Sequence, residues 1–464
     1  MCEEQVKIKF GTDGWRAVIS DDFTFKNVRL VSQAISEYIK TKVKKQAQVA
    51  VGFDTRFLSR EYAHLVAEVL SGNNIRVFLS NRTVPTPALS FTVKNRNLDY
   101  GVMITASHNP ARYNGIKIKL NTGGAAGKDV TDEVEKILEV GVNPCSQNPE
   151  LITMDDFTQD YVKFLRSYIN LKVLKNAKVK ALMDVMYGAG NGFIAEVLKG
   201  TSIKLEFMRS SINPSFDGKN PEPIESNLGN LIKETKARRF DIGLALDGDG
   251  DRVGASSPKG SFIHPQLILP LLVYHLVEDR KWSGGIVKTI AGSVLIDKVA
   301  KKFNLPVYET PVGFKYISNL METKDILIGG EEAGGIGFKG YIPERDGTVA
   351  SLLLLEMIAY RKKSIAKIIQ DVVKEFGQYF YVRADLHLKS ANKESVEKLR
   401  TLKSILNKKV IEIKDYDGIK AICDDESWLM LRASGTEPLV RVYAESSTLK
   451  KAKELLEFGK KLVL

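Results

Sequence analysis

The stretch Tyr100-Gly101-Val102-Met103-Ile104-Thr105-Ala106-Ser107-His108-Asn109-Pro110 decides how this chain folds. Its first six residues read as a buried strand, and Asn109-Pro110 ends that strand in a turn. The Ser107 hydroxyl is therefore expected to stand exposed at the carboxyl edge of a sheet, where α/β proteins bind ligands. A serine placed there can carry phosphate. A loop serine more often caps a helix or makes a hydroxyl turn, so the reading depends on what the rest of the chain supplies.

Outward from this strand, strand and helix patterns alternate in three comparable blocks of about a hundred residues, and the composition of the last eighty differs. In the first block Val49 to Phe53 and Ile75 to Leu79 lead to the serine strand. Lys180 to Asp184 and Ile203 to Phe207 lead to the strand Ile242 to Leu246, and Gly285 to Ile290 and Leu305 to Tyr308 lead to Asp325 to Ile328. Each block ends its last strand in a loop rich in chemistry. Boundaries are expected in Pro144 to Pro149, around Ser256 to Gly260 and near Gly377, giving domains 1–148, 149–258, 259–376 and 377–464. The cluster Gly188-Ala189-Gly190-Asn191-Gly192 lacks both the dinucleotide spacing and the P-loop lysine, and reads as a tight strand-to-helix turn.

The second block ends in Asp247-Gly248-Asp249-Gly250-Asp251-Arg252. Three carboxylates at two-residue spacing repel unless something neutralises them. Oxygen ligands on a glycine-loosened loop suit Mg²⁺, with a phosphate oxygen as a further ligand. A calcium-binding EF-hand would need Gly and Glu where Arg252 and Pro258 stand. The third block ends in Gly329-Gly330-Glu331-Glu332-Ala333-Gly334-Gly335, where glutamates on flexible backbone suit sugar hydroxyls; an ordinary acidic loop has nearly the same composition. Near the end, Arg432-Ala433-Ser434-Gly435-Thr436-Glu437-Pro438 lies between the strand-like runs Trp428 to Leu431 and Val440 to Ala444. Arg432, Ser434, the Gly435 backbone, Thr436 and Arg441 there form a compact anion cradle.

With 464 residues and 44% hydrophobic content, the chain can bury several cores. No apolar run approaches the roughly 18 residues of a membrane span, and Met1 to Lys9 is too polar for a secretory signal. Cys2, Cys145 and Cys423 are odd in number and far apart, which indicates neither a disulfide frame nor a zinc site. A cytoplasmic location is expected. The net charge of +12 reads as a solvated basic surface that attracts anionic sugar phosphates, with neither nucleic acid nor membrane as partner, because the lysines are scattered or sit on amphipathic stretches such as Leu449 to Leu462.

Taken in order, Gly11-Thr12-Asp13-Gly14-Trp15-Arg16, the Thr105 to Pro110 loop, the Asp247 to Arg252 loop, the Gly330 to Gly335 loop and the Arg432 to Pro438 loop resemble the motifs of the α-D-phosphohexomutase family. That family contains phosphoglucomutase, phosphomannomutase and phosphoglucosamine mutase. The resemblance covers the whole chain and implies an α/β fold: three similar mixed-sheet α/β domains plus a smaller C-terminal α+β domain around a central cleft. It implies Ser107 as phosphoryl carrier and Mg²⁺ held by Ser107, Asp247, Asp249 and Asp251. The implied reaction passes phosphate from phosphoserine to one end of a hexose monophosphate. Glucose 1,6-bisphosphate, as intermediate or activator, then turns over and returns its other phosphate. Arg16 and Arg252 are expected on the transferring phosphate, and Lys117, His108 and Lys315 are candidates for the proton-transfer group. The partner is a small phosphosugar, and the chain is a monomer or homodimer.

Sugar choice is where the motifs diverge. Ala333 stands at the serine of the family's Gly-Glu-x-Ser loop, with Glu331 kept, and Gly335 stands where mannose/glucose-dual and glucosamine branches place histidine. Thr310-Pro311-Val312-Gly313-Phe314-Lys315 and Pro343-Glu344-Arg345-Asp346-Gly347 resemble glucose-specific relatives. Phosphoglucomutase is the first expectation, with phosphomannomutase or phosphoglucosamine mutase behind it. From other classes, a metal-dependent sugar phosphatase and an inactive sugar-phosphate-binding homologue are weighed; the second predicts damage at Ser107, the aspartates or Arg432, and none is damaged.

Overall fold

The computed structural model describes residues 8–11, 13–388, 396–433 and 439–464. They divide into two compact units: the first takes in described residues of Met1–His264, Ser318–Thr323 and Gly334–Ala366, the second Pro265–Ile317, Lys324–Ala333 and Lys367–Leu464.

The repetition expected from sequence is present as topology. In the first sheet Gln48–Phe53 lies between Arg76–Ser80 and Tyr100–Ile104, parallel to both. In the second, Lys180–Asp184 lies between Lys204–Met208 and Ile242–Leu246 in the same way. In the third, Gly285–Thr289 lies between Val307–Thr310 and Ile326–Gly330. Central parallel strands are covered on both faces, so they read as continuous apolar runs such as Val49-Ala50-Val51, all fully buried. Lys180–Asp184 and Ile242–Leu246 end where expected, and the other strands differ by one or two residues at one or both ends, because hydrogen-bond register rather than composition sets where a ladder stops.

Each of the first two sheets adds an antiparallel neighbour beside its last parallel strand, Tyr113–Leu120 beside Tyr100–Ile104 and Val253–Ser256 beside Ile242–Leu246. The serine and aspartate loops are therefore the connections into these hairpins. The last sheet is wholly antiparallel, running Phe380–His387, Leu439–Ser446, Trp428–Ala433, Ile419–Cys423, Lys408–Lys414 and Ser404–Ile405. Its apolar face packs with Leu455, Leu456 and Val463 of the amphipathic helix Leu449–Val463.

One helix of the first unit bears on the site. Gly347–Arg361 is buried along most of its length, and Asp346 caps it, accepting from the Val349 N–H at 2.9 Å. The same carboxylate accepts from the Tyr161 and Tyr341 hydroxyls at 2.7 and 2.9 Å. Burial, offset in part by these donors, pushes the Asp346 carboxyl up to about 6. The cap fixes where Glu344 and Arg345 enter.

Candidate active site

Ser107 follows its strand as expected, but it is buried, at 1% exposure, where the sequence predicted an exposed hydroxyl. The reason is a shell of ion pairs that the sequence does not display. Arg56, itself buried, donates to the backbone carbonyls of Ser107, Asn109, Pro110 and Tyr113 at 2.6 to 3.0 Å. Its Nε stands 3.2 Å from Asp54, whose carboxylate also accepts from the Arg56 N–H and the Thr105 and Ser59 hydroxyls. Thr105 in turn accepts from the Ser107 N–H at 2.8 Å. Ser107 has φ 52°, a left-handed conformation that costs a non-glycine residue about 1–3 kcal/mol and persists only when surroundings over-determine it. The four-carbonyl clamp of Arg56 supplies that constraint.

The aspartate loop meets the serine directly. Ser107 Oγ donates to Asp247 Oδ2 at 2.9 Å. Gly248 lets the two loops approach, since a Cβ there would lie 2.5 Å from the Ser107 carbonyl oxygen, and Gly250 turns the loop at φ 72°. Asp247, Asp249 and Asp251 are fully buried and offer carboxylate oxygens all within 4.8 Å of one another. Asp249 Oδ1 and Asp251 Oδ1 are buried without a hydrogen-bond partner. Orphaned carboxylate oxygens converging beside a serine hydroxyl fit a hard divalent cation.

Fixed cations balance the remaining charge. Lys117 lies with its Nζ 2.8, 2.9 and 3.3 Å from Asp13, Asp249 and Asp251. Burial would lower the lysine, but these three carboxylates hold it raised, so it stays an ammonium. Burial likewise works to raise Asp13, and Lys117 and Arg345 hold it well below the usual carboxylate range. Asp247 is pushed well up by burial and then by Asp251 and Asp249. His108 Nδ1 is 3.4 Å from Ser107 Oγ. Burial and the cations Arg252, Arg16, Lys117 and Arg56 hold its imidazole well below the ordinary range. Arg16 donates to the Asn109 side chain at 2.8 Å, and Arg252 stands 3.4 Å from Glu222. The first unit thus gathers Arg16, Ser107, His108, Lys117, Asp247, Asp249, Asp251 and Arg252.

Sequence reasoning did not assign functions to Asp13, Asp54, Arg56 or Arg345, all of which hold this cluster. Arg345 Nη2 lies 2.7 Å from Asp13 and 2.8 Å from Asp251. A usable signal was present in Asp54-Thr55-Arg56, charged residues directly after an apolar strand.

The other expected residues belong to the second unit. Glu331 and Ala333 are partly exposed at the end of Ile326–Gly330. Glu332, beside them, is buried and accepts from Thr289 Oγ1 at 2.9 Å. Lys315 sits over the Tyr316 ring at 5.2 Å. Arg432 and Arg441 face each other as a cross-strand pair. Asp417 accepts from Arg432 Nε at 2.8 Å and from the Val312 N–H at 2.7 Å, and Asp385 is 3.6 Å from Arg441. Ser434, Gly435 and Thr436, expected in the cradle, and Thr12 of the first motif lie outside the described residues. Nearby, Lys420 is 2% exposed, donates to the Ile290 carbonyl at 2.7 Å, and lies 4.0 Å from the Trp428 ring centroid. Burial, with help from Lys288, lowers it to about 7.

Comparison with known proteins agrees with this arrangement. Models of phosphoglucomutase/phosphomannomutase alpha/beta/alpha domains I, II and III match residues 7–142, 159–260 and 264–376, and the C-terminal domain model matches 388–458. A Thermococcus kodakarensis phosphoglucomutase/phosphomannomutase is 29% identical, covering 98% of each chain. A Sulfurisphaera tokodaii phosphoglucosamine/phosphogalactosamine mutase is 30% identical over 98% of each. The solved structure of a Thermus thermophilus protein assigned as a phosphomannomutase superimposes with TM-score 0.89 at 33% identity, covering 98% of this chain and 99% of that one. No described helix is long and apolar enough to cross a membrane. With its serine, its three aspartates and all four domain patterns in place, the chain belongs to the phosphoglucomutase/phosphomannomutase family of phosphohexomutases, which are intramolecular phosphotransferases.

Proposed function

We propose that the chain interconverts hexose 1-phosphate and hexose 6-phosphate, with glucose as the first substrate, through phosphorylated Ser107 and a bound glucose 1,6-bisphosphate. The observation that carries this is the Ser107 hydroxyl at 2.9 Å from Asp247, beside the unpartnered oxygens of Asp249 and Asp251. Asp247, Asp249 and Asp251, with an oxygen on Ser107, would hold Mg²⁺. That ion, when bound, offsets the charge of the phosphoryl group.

In the first half-reaction the Ser107 Oγ–P bond breaks, a P–O bond forms to a sugar hydroxyl, and the hydroxyl proton passes to a base; the second half reverses these steps on the other phosphate. Arg16 and Arg252 bind the transferring phosphate. Lys117, ringed by three carboxylates, suits the proton-donating half, and His108, 3.4 Å from the nucleophile, the accepting half; Lys315 is the third candidate. Glu331 binds sugar hydroxyls, with Ala333 leaving one contact out. Arg432, Ser434, Gly435, Thr436 and Arg441 hold the phosphate that does not react. The working domains are 1–148, 149–258, 259–376 and 377–464, and the protein acts in the cytoplasm as a monomer or homodimer.

A glucosamine-phosphate reading is supported by the names of the relatives, several of which are phosphoglucosamine mutases. The test is turnover of glucose, mannose and glucosamine 1-phosphates in parallel with Mg²⁺ and glucose 1,6-bisphosphate. Preference for glucose supports the reading. Preference for another sugar keeps the mechanism and reverses the assignment drawn from Ala333 and Gly335. Steady release of inorganic phosphate points to a phosphatase.

A further inference from the structure

Lys117 and Lys119 share one face of the strand Tyr113–Leu120, because side chains two apart point the same way. Both are buried, and Lys117 is absorbed into the carboxylate cluster. Lys119 instead pairs with Glu344, and both side chains have no exposure at all. Glu344 uses its two oxygens differently. Oε2 takes Lys119, while Oε1 accepts from the Arg345 N–H at 2.9 Å and lies 3.3 Å from Arg345 Nε. The far end of the same guanidinium rests on Asp13 and Asp251.

We infer that Lys119 and Glu344 are positioning residues that set how strongly Arg345 engages Asp251, and so tune the cation affinity of the aspartate cluster. The inference rests on the metal reading above. A fully buried carboxylate requires a cation. Lys119 satisfies Glu344 and leaves the Arg345 guanidinium to divide itself between Glu344 and the Asp13/Asp251 pair. Asp251 faces Arg345 and Lys117 with one oxygen and has the other unpartnered, so a guanidinium drawn toward it opposes a divalent ion and one drawn away favours it.

The two single variants are therefore expected to act in opposite directions. In Lys119→Met the buried Glu344 draws Arg345 to itself, Asp251 is relieved of a positive neighbour, and Mg²⁺ binds at least threefold tighter. In Glu344→Gln Arg345 loses its competing partner, leans on Asp251, and Mg²⁺ binds at least threefold weaker. Turnover falls in both, because Arg345 is misplaced in both. A purely structural pair would weaken Mg²⁺ binding in both variants together.

The experiment is calorimetric titration of the full-length chain with MgCl₂, without sugar phosphate. It covers wild type, K119M, E344Q and the uncharged, volume-matched K119M/E344Q, which keeps the fold if a single variant loses it and must follow E344Q in direction. Opposite shifts in the single variants, accompanied by weakened binding in the double variant, support the inference, and tightened binding in the double variant counts against it. Unchanged affinities, or shifts of one sign in both single variants, overturn it. A wild-type chain that takes up no Mg²⁺ overturns the metal reading and this one together, a result distinct from variants that move in parallel.

Discussion

The two charged regions of this molecule are built on opposite plans. Around Ser107 the three aspartates of the loop are buried, and two cations are shared among carboxylates: Lys117, at 1% side-chain exposure, serves three, and Arg345 at least two. Around Arg432 and Arg441 each guanidinium keeps one named aspartate and stays partly in water, Arg441 at 26% exposure. A buried, mutually neutralised cluster is rigid, because moving any member strands another charge in low dielectric. A half-solvated arginine held by one carboxylate can exchange that partner for a ligand oxygen at little cost. The first plan suits a group whose position must not change during bond making. The second suits a grip that must accept phosphate on either end of a sugar.

The comparison is broken most severely at the serine. Ser107→Ala should lower mutase turnover by about 10⁴-fold or more, as loss of a covalent nucleophile does, while the clamp of Arg56 keeps the chain folded; mutase assay beside thermal unfolding checks both. Retained turnover would remove Ser107 as carrier.

The next effect lies in the second unit, where Lys420 departs from that unit's partly solvated plan. It is buried, its hydrogen bond goes to a backbone carbonyl, and Lys288 and Lys414 oppose its charge while Glu309 and Glu445 favour it. Its pKa falls on folding from 10.5 to about 7, so between those values the unfolded chain binds more protons. Stability should therefore rise as pH increases from 7 toward 10, by on the order of 4 kcal/mol at most. Lys420→Met should flatten that rise and stabilise the unit at pH 6. Denaturant unfolding across this range decides the matter, and an unchanged slope would sink the idea.

Smaller effects sharpen the contrast. Arg432→Lys replaces a planar fork with a point charge and should raise KM about tenfold with little loss of kcat, the pattern of a group that binds ground and transition states alike. A larger fall in kcat than rise in KM would place Arg432 in the chemistry. Ala333→Ser restores the hydroxyl absent from the sugar loop. It should alter kcat/KM ratios between glucose and mannose phosphates by only a few-fold, since a single partly exposed hydrogen bond is worth about 1 kcal/mol.

Much of this was legible in the chain. The apolar runs marked the parallel strands, and the loops at their carboxyl ends brought Ser107 and the three aspartates together as expected. What could not be read is the burial of Ser107 and the identity of its supports. Beyond the Asp54-Thr55-Arg56 signal, Asp13 and Arg345 act through partners as far as 332 positions away, and no local pattern encodes such a distance. Lys119 carried no signal, because in Ile116-Lys117-Ile118-Lys119-Leu120 it alternates with the apolar residues and reads as the solvent side of a half-buried strand. Glu344 carried none, because a glutamate ahead of a helix cap looks like any solvated charge until its burial is known.

The route of the chain through the first unit sets an order of events at the ribosome. Asp251 is made nearly a hundred residues before Arg345, and at ordinary synthesis rates that gap is roughly 5–20 s. During it, the three aspartates that the finished fold buries have Lys117 but not Arg345 in the chain already made, and the helix Gly347–Arg361 of the same unit does not yet exist. The first unit therefore reaches its finished charge balance only once Arg345 and the helix after it have been made.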